Sequence, residues 1–65
     1  MNVNLLKSEI IKNGYTQEGF CKKIGMAHST FIRKLRCGVF KTDEAERISD
    51  VLNIKNPSEI FFDID

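Results

Sequence analysis

Three glycines, Gly14, Gly25 and Gly38, divide the first part of this 65-residue sequence into short apolar segments. Within these segments apolar residues recur three or four positions apart, which is the spacing of one face of an α-helix. Glycine is favoured just past the end of a helix because it adopts the left-handed backbone conformation at little steric cost. The pattern therefore predicts short helices that stop at defined positions, and no strand-like alternation accompanies it.

Capping residues complete the prediction of an all-α fold, a compact bundle of five short helices. The first and third helices are predicted over about residues 3–13 and 28–36. Thr16 and Thr42 are predicted N-caps of the second and fourth, because a threonine hydroxyl accepts a hydrogen bond from a free amide one turn on. Asn56 is the predicted cap of the fifth, with Pro57 at its first position and an acid at its third.

Apolar residues at helical spacing predict the core. Val39 and Phe40 lie between the third and fourth helices, and one or both are expected to fill the core. We expect Ile11 beside the stripe of the first helix and Val51 beside that of the fourth. The inward stripes themselves are Leu6 and Ile10, then Phe20, Cys21 and Ile24, then Phe31 and Leu35, then Ala45, Ile48 and Leu52.

The length predicts one domain over residues 1–65, with residues 61–65 as a short tail. A chain this short has little surface left to line a deep pocket, and no base and nucleophile are paired, so we expect no enzyme. No apolar run approaches the roughly 18 residues of a membrane span. No secretory signal is visible at the N-terminus, so the expected location is the cytoplasm.

The two cysteines, Cys21 and Cys37, indicate neither a disulfide framework nor a metal site. Small secreted scaffolds usually carry more cysteines, and nothing here indicates export. With His28 they would supply three ligands, at spacings unlike those that chelate a tetrahedral zinc ion. We expect two reduced thiols, Cys21 in the core and Cys37 in a turn, and no metal or other cofactor.

Charge is unevenly distributed along the chain, although the formal net charge is only +1. Residues 1–41 hold eight basic and two acidic residues, a net charge of +6, whereas residues 42–65 hold two basic and seven acidic residues, a net charge of −5. Between Gly19 and Lys41 there is no acid. Such a segment either binds a polyanion such as nucleic acid or forms a solvated helical face whose acids lie opposite in the fold.

The segment TQEGFCKKIGMAHSTFIRKLRCG, which runs from Thr16 to Gly38, carries the most specific pattern. It combines a capped helix, a turn of about three residues opened by Gly25, and a second helix with a polar outer face. This is the helix-turn-helix pattern, in which the second helix enters the major groove of DNA. Apolar residues of both helices are expected to hold that outer face rigidly.

Over about residues 5–62 the chain resembles the phage-type Cro/CI repressor-like (XRE-like) helix-turn-helix DNA-binding family. The resemblance implies a lambda-repressor-like domain whose helix-turn-helix is formed by helices 2 and 3. Three features depart from the family pattern: Gly19 replaces a better helix former, Ile32 is apolar on the outward face, and the turn at Gly38 comes one residue late. The matching phrases are Gly14-Tyr15-Thr16-Gln17-Glu18, Lys23-Ile24-Gly25-Met26, Ser29-Thr30-Phe31, Asp43-Glu44-Ala45-Glu46-Arg47-Ile48, Val51-Leu52-Asn53-Ile54 and Pro57-Ser58-Glu59-Ile60-Phe61-Phe62.

By this resemblance, His28, Ser29 and Arg33 are the base-reading residues of the recognition helix. An arginine can donate two hydrogen bonds to O6 and N7 of guanine, whereas His and Ser can donate or accept, which leaves their base preference open. Ile32 is expected on the outward face of the same helix, where it either touches a thymine methyl, marks a protein contact or lies along the flank. The residues expected to contact the DNA backbone are Gln17, Thr30, Lys34, Arg36 and Lys41.

The expected function is sequence-specific binding of double-stranded DNA by a transcriptional regulator, a phage or mobile-element repressor. A single domain reads few base pairs, so we expect a homodimer on a two-fold-related operator with half-sites about one turn apart. No small-molecule effector is implied. The alternative is a protein-interaction module on the same fold, a phage accessory or antitoxin-like factor without specific DNA binding. Ile32 and the acidic C-terminal third favour this alternative.

Overall fold

A computed structural model describes residues 1–61, and residues 62–65, which include Phe62 and most of the predicted tail, lie outside the described residues. Within residues 1–61 the chain forms five helices and no strand, which confirms the all-helical prediction. No helix in this part of the chain is long and apolar enough to cross a membrane. The helices are α1 Val3–Lys12, α2 Gln17–Ile24, α3 His28–Cys37, α4 Thr42–Leu52 and α5 Ser58–Phe61.

The ends of α2 and α3 lie where the capping residues predict them. The Thr16 hydroxyl accepts a hydrogen bond from the Gly19 amide at 3.0 Å and so caps α2. Gly25 and Gly38 end α2 and α3 in the left-handed conformation, with φ angles of 73° and 74°. Cys37 is the last residue of α3, so it belongs to the helix and not to the predicted turn.

The start of α4 differs from the prediction, because Thr42 is its first helical residue and Lys41 is its N-cap. The Lys41 amide donates a hydrogen bond to the Glu44 carboxylate at 2.8 Å. An acid in the first turn therefore satisfies a free amide, as in half of a capping box. The fifth helix also begins later than predicted, at Ser58, and the Pro57 carbonyl accepts hydrogen bonds within its first turn.

The predicted stripes form the core, and α2 packs against α1, α3 and α4. Ile11 is an exception to the predicted core because it lies on the outside of α1 and is 73% exposed. Of the two residues between α3 and α4, Phe40 packs against the core, whereas Val39 is 66% exposed. The buried apolar residues are Leu6, Ile10, Phe20, Cys21, Ile24, Phe31, Leu35, Ala45, Ile48, Leu52 and Ile60.

Five aromatic rings form a continuous chain of contacts through the protein. Successive ring centroids lie 5.6 to 6.1 Å apart in the order Tyr15, Phe20, Phe31, Phe40 and Phe61. Such tilted and edge-on contacts are favourable for aromatic pairs. Because Phe31 lies at the centre of the chain, its ring fixes α3 against both α2 and the loop that follows α3.

The capping contact of α2 leaves little space for a side chain at Gly19, one of the three departures from the predicted pattern. A β-carbon at Gly19 would lie 3.0 Å from the hydroxyl oxygen of Thr16. That oxygen accepts a hydrogen bond from the Gly19 amide at 3.0 Å, and it would have to shift by a few tenths of an ångström to admit a β-carbon. A side chain at position 19 is therefore in tight contact with the capping hydroxyl.

Candidate nucleic-acid interface

The helix α3 buries one face and exposes the opposite one. Phe31 is fully buried and Leu35 is 7% exposed. At 100° per residue, Ser29, Arg33 and Arg36 share the opposite face, and all three are exposed. The exposed face therefore presents two guanidinium groups and a hydroxyl on a helix whose other side is fixed in the core.

The three predicted base-reading residues, His28, Ser29 and Arg33, are all exposed on α3. Within residues 1–61 their side chains make no hydrogen bond or ion pair, so their donors and acceptors are free to bind a ligand. The N-cap of α3 is Ala27, which supplies no side-chain hydrogen bond. Polar groups of two kinds, free side chains and uncapped helix amides, thus lie together at the start of α3.

Four of the five predicted backbone-contact residues have side chains that make no hydrogen bond within residues 1–61. Gln17 is the first residue of α2 and is half-buried, as is Thr30 on α3. Arg36 and Lys41 are exposed, one in the last turn of α3 and the other at the N-cap of α4. Across the part of the chain that the structure describes, the side chains of Gln17, Thr30 and Arg36 have no protein partner. The charge of Lys41 acts on the Glu44 carboxylate without a side-chain hydrogen bond between them.

Lys34, the fifth predicted backbone contact, differs from the other four because its side chain has an acidic partner and is largely buried. Its ammonium donates a hydrogen bond to the Glu44 carboxylate and forms an ion pair with it. The two side chains are only 17% and 14% exposed. Because its charge is already neutralised by Glu44, Lys34 does not offer a free cation to a phosphate.

The environment of Glu44 lowers the pKa of its carboxyl below the usual value. Burial alone raises this pKa, since it disfavours the charged form. The hydrogen bonds from Lys34 and from the Lys41 amide, together with the charges of both lysines, outweigh burial. Glu44 is therefore a carboxylate at neutral pH, as its contact with Lys34 requires.

Arg47 supplies a second polar contact from α4 to the helices of the predicted motif. Its guanidinium donates a hydrogen bond to the backbone carbonyl of Ile24 at 3.0 Å. Ile24 is the last residue of α2 and directly precedes the turn at Gly25. Sequence reasoning identified neither this role nor that of Glu44 as the partner of Lys34. The only available signal was an acid in the first turn of α4, which indicates a cap but not a tertiary partner.

Ile32 lies on the flank of α3. It is half-buried and packs against the core. Around the helix axis it stands about 60° from Leu35, which places it between the buried and the exposed faces. Of the three interpretations of this residue, the structure favours a position along the flank.

The two cysteines are free thiols. Cys21 is buried in the core and Cys37 is exposed at the end of α3. Burial, with a smaller contribution from the charge of Glu18, raises the pKa of the Cys21 thiol, so Cys21 stays protonated. No group of three or more potential metal ligands occurs among residues 1–61.

No protein-family model, curated protein or solved structure shows a significant match to this chain. A functional assignment therefore depends on the residues and the geometry described above.

Proposed function

We propose that this protein is a sequence-specific double-stranded DNA-binding protein, and that it acts in the cytoplasm as a transcriptional regulator and has no enzymatic activity. In this proposal α2 and α3 form a lambda-repressor-like helix-turn-helix. The helix α3 enters the major groove and α2 crosses the phosphate backbone. The regulator is a repressor of the phage or mobile-element type, in accord with the family that the sequence resembles.

The observation that carries the proposal is the exposed face of α3. Free polar and cationic side chains, among them Ser29 and Arg33, lie on one face of this short helix. The other face is held in the core by Phe31 and Leu35. A rigid helix of about 10–12 Å diameter fits the major groove of B-DNA. No acid interrupts the segment from Gly19 to Lys41. A rigid helix with free hydrogen-bonding side chains supports direct reading of base edges. Positive charge alone would support only sequence-independent binding to an anionic surface.

Each side chain has a role that its position supports. His28, Ser29 and Arg33 read base edges, and Arg33 prefers guanine because its guanidinium can bond O6 and N7 together. The free side chains of Gln17, Thr30, Arg36 and Lys41 contact phosphates and fix the register without reading sequence. A homodimer places two α3 helices on half-sites about one helical turn apart.

Selection of bound duplexes from a random pool tests this function directly. The expected result is a recurrent half-site of a few base pairs that contains guanine, repeated with two-fold symmetry about one turn away. Affinity for the recovered duplex should fall steeply as salt rises, because bound phosphates release counterions. No detectable binding to any duplex at low salt would refute the proposal.

A second function, a protein-interaction module, is favoured by a cleft of about 510 Å³ that α4 and residues 54–57 line. Ala45, Ile54 and Pro57 give it apolar walls, and two acids and one base, Glu46, Asp50 and Lys55, also line it. Such a cleft suits an apolar or basic segment of another protein. Under this alternative, Ile54→Lys abolishes capture of a protein from host lysate, and no duplex is bound at any salt concentration.

A further inference from the structure

Glu44 links the C-terminal half of α3 to the start of α4 through both of its carboxylate oxygens. Oε1 accepts a hydrogen bond from the Lys41 amide at 2.8 Å, and Oε2 is in contact with the Lys34 ammonium. Arg33 and Arg36, the other cations of α3, have no acidic partner within residues 1–61. Lys34 is thus the one cation of α3 whose charge the fold neutralises.

The location of this ion pair matters for DNA binding because a free lysine contributes to binding in a sequence-independent manner. A lysine carries a compact charge on a flexible stem and can reach a phosphate next to any base pair. Each additional phosphate contact raises the affinity for every duplex and steepens the dependence on salt. A regulator must instead maximise the ratio of specific to non-specific binding, since non-specific sites vastly outnumber operators.

We propose that Glu44 is a specificity-determining residue of the DNA site: by holding the Lys34 ammonium it keeps a cation off the phosphate backbone and so limits binding to non-specific DNA. This inference rests on the proposed function. In the specific complex, base contacts fix the orientation of α3, and Lys34 then lies on the side of α3 that faces α4. In a non-specific complex the orientation of α3 is not fixed. A Lys34 released from Glu44 therefore gains more phosphate contact in the non-specific complex than in the specific one.

The substitution Glu44→Gln isolates the charge, because a glutamine side chain still accepts the hydrogen bond from the Lys41 amide. Its matched control is Glu46→Gln, which removes the same charge from an exposed residue of α4 that has no hydrogen bond or ion pair in the described chain. Circular dichroism establishes that both variants remain folded. Affinities are measured for a random duplex of about 24 base pairs, two helical turns, and for a duplex recovered by selection.

The expected result is that Glu44→Gln binds the random duplex more tightly than does Glu46→Gln or the wild type. Its advantage should shrink about threefold between 50 and 200 mM salt, because one further phosphate contact steepens the slope of log K against log salt by about 0.9. Affinity for the selected duplex should rise less, so the specificity ratio falls. Adding Lys34→Gln to Glu44→Gln should abolish the gain.

Two results would overturn the role of Glu44 while leaving the proposed function intact. One is a random-duplex affinity of Glu44→Gln equal to that of Glu46→Gln. The other is a loss of affinity in the single variant Lys34→Gln as large as that in Lys41→Gln, which would mean that Lys34 already binds phosphate in the wild type. Absence of duplex binding by the wild type at 50 mM salt, by contrast, refutes the proposed function itself.

Discussion

The Arg47 guanidinium of α4 lies 3.0 Å from the backbone carbonyl oxygen of Ile24 and donates a hydrogen bond to it. The last carbonyls of a helix lack intrahelical partners and carry partial negative charge, so a cation is favourable there. Gly25, the next residue, begins the turn to α3. The contact therefore joins α4 to the turn that sets α3 relative to α2.

Removal of this contact should destabilise the protein measurably. We expect Arg47→Met, which keeps an apolar stem, to lower the free energy of unfolding by about 1–2 kcal/mol, the contribution of a charged hydrogen bond at a helix end. Urea denaturation measures the change. Lys55→Met is the control, since it removes an exposed cation without a hydrogen bond in the described chain, and it should change stability by less than about 0.5 kcal/mol. Equal losses in the two variants would contradict a stabilising role for the contact.

The two threonines at the starts of α2 and α4, Thr16 and Thr42, should differ in their contribution to stability. Thr16 caps α2 through its hydroxyl, whereas Thr42 is the first residue of α4 and makes no capping bond. Thr16→Ala should therefore cost about 1 kcal/mol of unfolding free energy, and Thr16→Ser should restore most of it. Thr42→Ala should cost nothing and raise the unfolding free energy by about a few tenths of a kcal/mol at most, because alanine is a better helix former than threonine. Thermal denaturation of the three variants distinguishes the roles, and a larger loss at Thr42 would show the assignment of the caps to be wrong.

Positions 19 and 16 should be energetically coupled because a β-carbon at position 19 would be in tight contact with the Thr16 hydroxyl. Alanine in the interior of a helix is favoured over glycine by about 1 kcal/mol. In the wild type, a β-carbon at position 19 meets the Thr16 hydroxyl oxygen at 3.0 Å, so Gly19→Ala should recover only part of that gain. In the Thr16→Ala background it should recover nearly all of it. A double-mutant cycle in urea measures the difference, and additive effects would exclude the coupling.

Local chemistry made most of the fold predictable from the sequence. The glycines at 25 and 38 and the threonine at 16 act within one turn of the helices they end or begin, so the sequence alone locates them. Helical spacing likewise predicts the buried stripes, because residues on one face must share an environment. Ile11 was predicted wrongly, since apolar character alone does not specify whether a residue beside the stripe contacts a neighbouring helix.

The polar contacts between helices were not predictable in the same way. Lys34 pairs with a residue ten positions later, and Arg47 bonds a carbonyl 23 positions earlier. Both depend on how α4 packs against α2 and α3, which no local rule supplies. The cap of α4 was misassigned for a related reason: Thr42 and Glu44 both suit the start of a helix, and only the backbone geometry decides between them. The exposure of Ser29 and Arg33, by contrast, follows directly from the burial of Phe31 and Leu35 on the opposite face, whereas His28 is exposed as the first residue of α3.

The contribution of Glu44 to stability should depend on acid pH. The pKa of its carboxyl is lower in the folded protein than the ordinary value of 4.5. The folded state therefore binds this proton less readily, so the stabilisation is complete above pH 4.5 and is lost as pH falls through the lower folded-state pKa. We expect the wild type to exceed Glu44→Gln in unfolding free energy near neutral pH, and the difference to shrink below pH 4.5. Urea denaturation across this range measures it, and a difference that grows on acidification would contradict the pairing.

Arg33 and Lys41 should affect DNA binding in different ways, because one is proposed to read a base and the other to contact a phosphate. Both side chains are exposed and make no hydrogen bond or ion pair in the described part of the chain, so truncation of either should leave the fold intact. Arg33→Ala should cost about 1–3 kcal/mol on the selected duplex and relax the preference at one base position. Lys41→Ala should weaken binding to all sequences alike and reduce the magnitude of the salt slope by about 1.

Measurement of both variants on the selected duplex and on single-base variants of it distinguishes these roles. For Arg33→Ala, the affinities for the four base pairs at one position should converge, while the preferences at other positions persist. For Lys41→Ala, all affinities should fall by one common factor that decreases at high salt, since only a phosphate contact releases counterions. If Arg33→Ala instead weakens every duplex by a common factor, Arg33 contacts the backbone, and base reading must come from His28 and Ser29 alone.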